Sequence, residues 1–295
     1  MTASLREELR AFLGNWRADL SPAWNVVLAD VAPAYEAVRA DLAFDPAEPI
    51  YPGRKGRPLS GAPPGAHVFR ALDGLAPEDV RVVIVGQDPY PKIAQATGRA
   101  FEQGDLRTWS TKGVAISLRR IVQVLVAART GNPAYATSDA DWKRLTADLD
   151  AGTLDLDAPP ALFDRLQGEG VLLLNAALTI TRYERSAQSP QITGHIPLWR
   201  PVMAAILRHL AAHPGRGVVF ALWGGPAQAV FEQQKVRDAA EAAGTWGTRV
   251  AVARHSHPNA YPRKGGSGRP FFAPPNPFLE VNRHLQAMGA PSVAW

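Results

Sequence analysis

A chain of 295 residues, 46% of them apolar, is long enough to bury a substantial core as one large domain or two small ones. It has no cysteine, which excludes disulfides, thiolate zinc sites and cysteine-ligated iron–sulfur clusters. A formal charge of +5 and a sequence pI near 9.7 suit a polyanionic partner, and the lack of a basic-then-apolar leader or a long apolar run predicts a cytoplasmic protein.

In chain order, Ser4-Leu5-Arg6-Glu7 reads as a capping box opening a first helix through about Leu20, and Trp24 to Leu42 carries a second amphipathic pattern. Together they predict N-terminal helices over about residues 4–42. Residues 44–64 are rich in Pro and Gly with Arg54, Lys55 and Arg57 interspersed, which predicts an irregular basic surface loop. Four apolar, β-branched runs come next as predicted strands: Val80–Val85, Gly170–Leu174, Gly217–Leu222 and Thr248–Ala253. Helices are predicted at Ser117–Ala128, Ala161–Gln167, Leu198–Ala212 and Pro226–Val236, with a last one from near Pro277 to before Gly289. Continuous apolar strands alternating with helices fit a parallel sheet buried on both faces. No repeat or domain boundary stands out, so residues 1–295 are expected to form one three-layer α/β domain, a central four-stranded parallel sheet flanked by helices. Residues 135–160 and 261–272 read as insertions.

Polar or glycine-rich sequence succeeds each predicted strand, where open α/β sheets bind their ligands. The first strand ends in Gly86-Gln87-Asp88-Pro89-Tyr90, which delivers a carboxylate and a phenol on a stiff turn; an Asp-Pro turn alone is common in loops. After the second strand comes Asn175, after the third Trp223-Gly224-Gly225, and after the fourth His255-Ser256-His257-Pro258-Asn259. An Asp, an Asn and a His meeting beside aromatic rings suit a planar heterocycle: the amide offers a donor and an acceptor, and the imidazole donates to an oxygen. A nucleobase fits that description.

These residues, in this order, resemble the family 1 uracil-DNA glycosylases. Gly86-Gln87-Asp88-Pro89-Tyr90 is similar to the family's water-activating loop, with Gln95-Ala96, Gly98 and Phe101 continuing the match. Ser117-Leu118 with Ile121 and Leu125 resembles its serine loop and helix; Gly170 to Ala176 with Leu178-Thr179 resembles its uracil-specificity strand. Leu222-Trp223-Gly224 with Ala227-Gln228, His257-Pro258, and the later Arg269, Phe271-Phe272, Phe278 and Asn282 complete a likeness running from about Tyr51 to Leu285.

The resemblance implies a DNA-repair glycosylase that hydrolyses the glycosidic bond of deoxyuridine in single- or double-stranded DNA. It would release free uracil and leave an abasic site, acting as a monomer with no metal or organic cofactor. Asp88 and His257 would be catalytic, the first orienting water beside the sugar cation, the second donating to uracil O2. Gln87, Tyr90, Phe101 and Asn175 would bind uracil: Phe101 by stacking, Tyr90 by excluding a 5-methyl group, Asn175 by pairing with O4 and N3–H. Ser117, Tyr261, Arg263, Lys264 and Arg269 would contact DNA, with Tyr261 in place of an apolar leucine that enters the duplex.

The chain departs from the family pattern at several points. Pro91 replaces a His, Ala115 and Ile116 replace prolines, Arg120 replaces an Asn, and the stretch from Pro262 to Arg269 is longer. His255 competes with His257 for the catalytic role. Two other functions remain open from sequence: a glycosylase for another damaged pyrimidine, and a non-cleaving binder of uracil or abasic DNA.

Overall fold

The computed structural model describes residues 3–260 and 270–295. Helix α1 spans Leu5–Phe12 and α2 Pro22–Val27; strand β1 is Val82–Gly86, succeeded by α3 at Ile116–Thr130, α4 at Asp141–Asp150 and α5 at Pro159–Gly168. Then come β2 at Val171–Asn175, α6 at Ile196–Ala212, β3 at Val218–Trp223, α7 at Gly225–Gln233, α8 at Val236–Ala242, β4 at Val250–His255 and α9 at Pro277–Ala287. The strands form one parallel sheet in the order β2-β1-β3-β4, with Gly86 beside Asn175 and Trp223 beside His255. All four predicted strands are present, each shifted towards its carboxyl end by one or two residues.

Alternation along each strand divides the core into two layers. Val83, Val85, Leu172, Leu174, Phe220 and Leu222 face α1, α2, α6, α7 and α8. Val82, Ile84, Leu173, Val219, Ala221 and Trp223 face α3, α4, α5 and α9. Strands apolar on both sides are therefore a requirement of this architecture. Because β2 and β3 lie on opposite sides of β1, the chain leaves neighbouring strand ends in opposite directions and opens a crevice at the sheet's carboxyl rim. No helix among the described residues is long and apolar enough to cross a membrane.

The N-terminal layer differs from its sequence pattern. Ser4 makes no side-chain cap; it pairs instead with Ala43, and the Leu5 N–H donates to Leu42 O at 2.9 Å. The first helix stops at Phe12, Asn15 turns left-handed at φ 52°, and only a short 3-10 turn, Trp16–Asp19, comes after it. From Val31 to Leu42 the backbone spends donors on other segments, Ala34 N–H on Leu198 O (2.8 Å) and Arg39 N–H on Thr193 O (3.1 Å), so the apolar residues pack without a long helix. The helix expected through Val236 is two helices, parted at Lys235 with φ 51°.

Residues 44–64 contain no helix or strand, but Arg54 is not on the surface. Its side chain, 9% exposed, pairs with the equally buried Asp19 and donates to Phe12 O (2.8 Å), Gly14 O (3.0 Å) and Asn15 O (3.1 Å). These carbonyls cluster where α1 ends, and a guanidinium fork bonds them together, Asn15 O also accepting from Ala18 N–H at 3.1 Å.

Candidate active site

The loop after β1 is tied to the chain after β2: Ala176 N–H donates to Gly86 O and Ala177 N–H to Gln87 O, both at 2.9 Å. This pairing carries the sheet's register one step beyond the strands and sets Asp88 next to Asn175. The approach is too close for a side chain at position 86, since a Cβ there would stand 2.4 Å from Asn175 Oδ1 and 2.9 Å from the Ala100 Cβ. Gly86 is required by packing, as well as by the turn.

Asp88, Asn175 and His257 line one cavity of about 440 Å³, together with Gln87, Tyr90, Phe101 and Ser117. Every candidate that falls among the described residues, His255 excepted, is thus brought to a single pocket at the sheet's rim. Tyr261, Arg263, Lys264 and Arg269 lie outside the described residues.

Burial holds the Asp88 carboxyl above its ordinary value, against the lowering effect of a hydrogen bond from Gln87 Nε2 at 3.0 Å. Asn175 is almost wholly enclosed, 2% exposed, so an unpaired amide there would be costly without a ligand. Burial also pushes the Tyr90 phenol up to about 12; a hydrogen bond with Ser117 lowers it and Asp105 raises it. The Tyr90 hydroxyl reaches within 3.5 Å of Phe101 O. Phe101 itself is left-handed at φ 63°, unusual for a bulky residue, and its ring leans on Trp223 at 5.9 Å between centroids. Strained backbone of this kind is concentrated at ligand sites.

His257 lies two residues past β4 and is neutral, because burial lowers its imidazole below the ordinary 6.5. The Asn259 N–H donates to its Nδ1 at 3.0 Å, which places the ring proton on Nε2. Gly224 permits this loop to settle: it has φ +89°, and a Cβ there would meet the His257 Cβ at 2.6 Å. His255, by contrast, ends β4 facing inward, its Nε2 3.2 Å from Ala273 O and its ring edge-on to Phe271. It does not line the cavity.

Several supporting residues carry little or no signal in the sequence. Gln103, buried, accepts from Ala115 N–H (2.9 Å) and donates to Gly113 O (3.1 Å), fixing the approach to Ser117. Tyr183, half exposed, stands at the cavity's edge in Arg182-Tyr183-Glu184-Arg185, where an aromatic between basic residues was the available cue. Arg120 stands out in the sequence only as a departure from the family pattern. It is buried, forks onto Asp139 (2.6 and 2.7 Å), and donates to Pro258 O at 2.8 Å and Ala260 O at 3.3 Å.

Residues 72–286 match the family model of the uracil DNA glycosylase superfamily. A uracil-DNA glycosylase of Gallid herpesvirus 2 is 32% identical over 235 residues, covering 79% of this chain and 58% of the viral protein. One from bovine herpesvirus 1.1 is 31% identical over 232 residues, covering 77% of this chain and 88% of that one. Among solved structures, the mimivirus uracil-DNA glycosylase has the same fold, with a TM-score of 0.64 over all of this chain and 94% of the other, at 18% identity.

Proposed function

The chain belongs to the uracil DNA glycosylase superfamily, and we propose that it removes uracil from DNA by hydrolysing the deoxyuridine glycosidic bond. The observation that carries this reading is the meeting of Asp88, Asn175 and His257, from three strand ends, in one cavity large enough for a pyrimidine. The target base must leave the helical stack to enter it.

In this reading Asn175 pairs with uracil O4 and N3–H. Cytosine offers the reverse pattern and would leave the buried amide mispaired, which is the strong form of discrimination. Phe101 stacks on the ring, Gln87 helps to hold it, and Tyr90 occupies the space a 5-methyl group would need. As the C1′–N1 bond breaks, its electron pair leaves on uracil and charge grows on O2. The His257 Nε2–H is a neutral donor to that oxygen and stabilises the anion without giving up its proton. Asp88 is the anion beside the sugar cation, and it orients the water whose oxygen bonds to C1′; the proton that this water gives up to solvent balances the one that the departed uracil anion takes from solvent. Ser117 contacts phosphate, and Tyr261, Arg263, Lys264 and Arg269 engage the rest of the strand. The enzyme acts as a monomer wherever the cell's DNA is accessible, cytoplasm or nucleoid, and releases free uracil.

The test is alkaline cleavage of single- and double-stranded oligonucleotides carrying one deoxyuridine. Cleavage at the uracil position is expected, reduced in Asp88→Asn and Asn175→Asp. Intact oligonucleotide after incubation with the wild-type protein would overturn the reading.

A further inference from the structure

The His257 tautomer depends on one peptide unit, and that unit has a second partner. Its N–H, from Asn259, donates to His257 Nδ1 at 3.0 Å; its carbonyl, from Pro258, accepts from Arg120 Nη1 at 2.8 Å. Both ends of the peptide are therefore engaged, one by the imidazole and the other by a buried guanidinium. Arg120 reaches Ala260 O as well, at 3.3 Å, and its remaining edge is forked by Asp139 at 2.6 and 2.7 Å. The result is a chain of contacts from Asp139 through Arg120 and the Pro258–Asn259 peptide to His257.

We propose that Arg120 is a positioning residue for base release, fixing the plane of the Pro258–Asn259 peptide and thereby the Nε2–H tautomer and aim of His257. The proposal rests on His257 acting as the donor to uracil O2. Two physical effects support it. A cation bonded to a carbonyl draws electron density through the amide, which makes the N–H of the same unit a better donor, as in hydrogen-bond chains generally. A planar fork held by a carboxylate has little freedom, so it resists rotation of the peptide that would turn the N–H away from Nδ1. Lysine at position 120 would preserve the charge but cannot fork onto Asp139 and reach Pro258 O in fixed geometry. Asp139 belongs to the 135–160 insertion, whose role here is to orient the guanidinium.

Single-turnover uracil release is measured for the wild type, Arg120→Lys, His257→Gln and the double variant, with a thermal melt of each. Arg120→Lys is expected to slow the chemical step by about 10- to 100-fold, the scale of a displacement of about 1 Å, with substrate affinity little changed. In the His257→Gln background the same substitution is expected to do almost nothing further. Equal fold losses in both backgrounds, a loss confined to substrate affinity, or a wild-type rate in folded Arg120→Lys protein would overturn the proposal. Asp139→Asn, at a half-exposed side chain, gives a milder route to the same effect if the Arg120 variant does not fold. ¹⁵N spectra of the His257 ring supply a readout that needs no substrate. One neutral tautomer is expected in the wild type and a mixture in Arg120→Lys and Asp139→Asn; an unchanged tautomer in both would refute the assignment, whereas absence of uracil release would refute only the glycosylase reading.

Discussion

Gly86→Ala tests whether the sheet's register, through a missing side chain, sets the Asn175 amide proposed to read the base. Ordinary contact begins at 3.4 Å, whereas the new methyl would lie 2.4 Å from Asn175 Oδ1, so the oxygen must retreat by about 1 Å. The backbone at Gly86 is not left-handed, so the substitution adds crowding without conformational strain. A displacement of about 1 Å in a reacting geometry is worth on the order of 10²-fold in rate. Overpacking against Ala100 as well should cost about 1–3 kcal/mol of stability. Single-turnover uracil release and thermal melting are measured on Gly86→Ala, Asn175→Ala and the double variant. Release should fall about 10²-fold in Gly86→Ala by the same scaling, and the stability cost should shrink once Asn175 is shortened. A rate within about threefold of wild type in folded Gly86→Ala protein would refute the claim that the amide needs this position, given the effect expected of such a displacement.

Asp88→Asn should remove about 10²- to 10³-fold of uracil release, the usual scale for a preorganised electrostatic group. Its stability effect has the opposite sign. A carboxyl raised by burial contributes stability below its ordinary value of 3.8 and loses it as pH rises through the folded value, so ionised Asp88 burdens the fold at neutral pH. Asp88→Asn should therefore melt higher than wild type at pH 7, the gap closing as pH falls towards 3.8; a lower melting temperature at neutral pH would contradict the desolvation argument. Because His257 is held below 6.5, release should stay level across that pH and decline only under more acid conditions, as a pH–rate profile would show. Tyr90→Ala should release thymine from oligonucleotides that the wild type ignores, and continued rejection of thymine would mean the 5-position is guarded by another group. Arg54→Met should lose about 3–5 kcal/mol in denaturant melts because Asp19 stays buried without its partner, with uracil release by the folded fraction unchanged.

The strands were legible because a sheet buried on both faces leaves continuous apolar runs, and Asp88, Tyr90, Asn175 and His257 were legible because each lies close behind such a run. The N-terminal layer was not. Its apolar periodicity is genuine, and Leu5, Leu9, Leu13, Trp24 and Leu28 are all core residues. Burial, however, does not specify where the backbone donors go. Ala34 and Arg39 give theirs to Leu198 and Thr193, contacts some 150 residues away that no local pattern encodes. Arg54 misled for a similar reason: a cation in a Pro- and Gly-rich stretch reads as solvated until its acceptors, three carbonyls and Asp19, are brought to it by the fold. The choice between His255 and His257 likewise turns on distant residues, Phe271 and Ala273, which enclose the first of them.

The sheet order explains why supports of this kind cluster where they do. Asp88 lies just past the interior strand β1, flanked on both sides, while Asn175 ends β2 and His257 lies past β4, the two edges. An edge strand braces its succeeding loop from one side only, so the other side must be supplied from elsewhere. For Asn175 the segment before Phe101 contributes, with Ala100 N–H on Leu173 O at 3.0 Å, and this is the same segment that crowds position 86. For His257 the contacts come from Gly224 after β3 and from Arg120 on α3. Substitutions at these supports should reduce base release without touching the substrate.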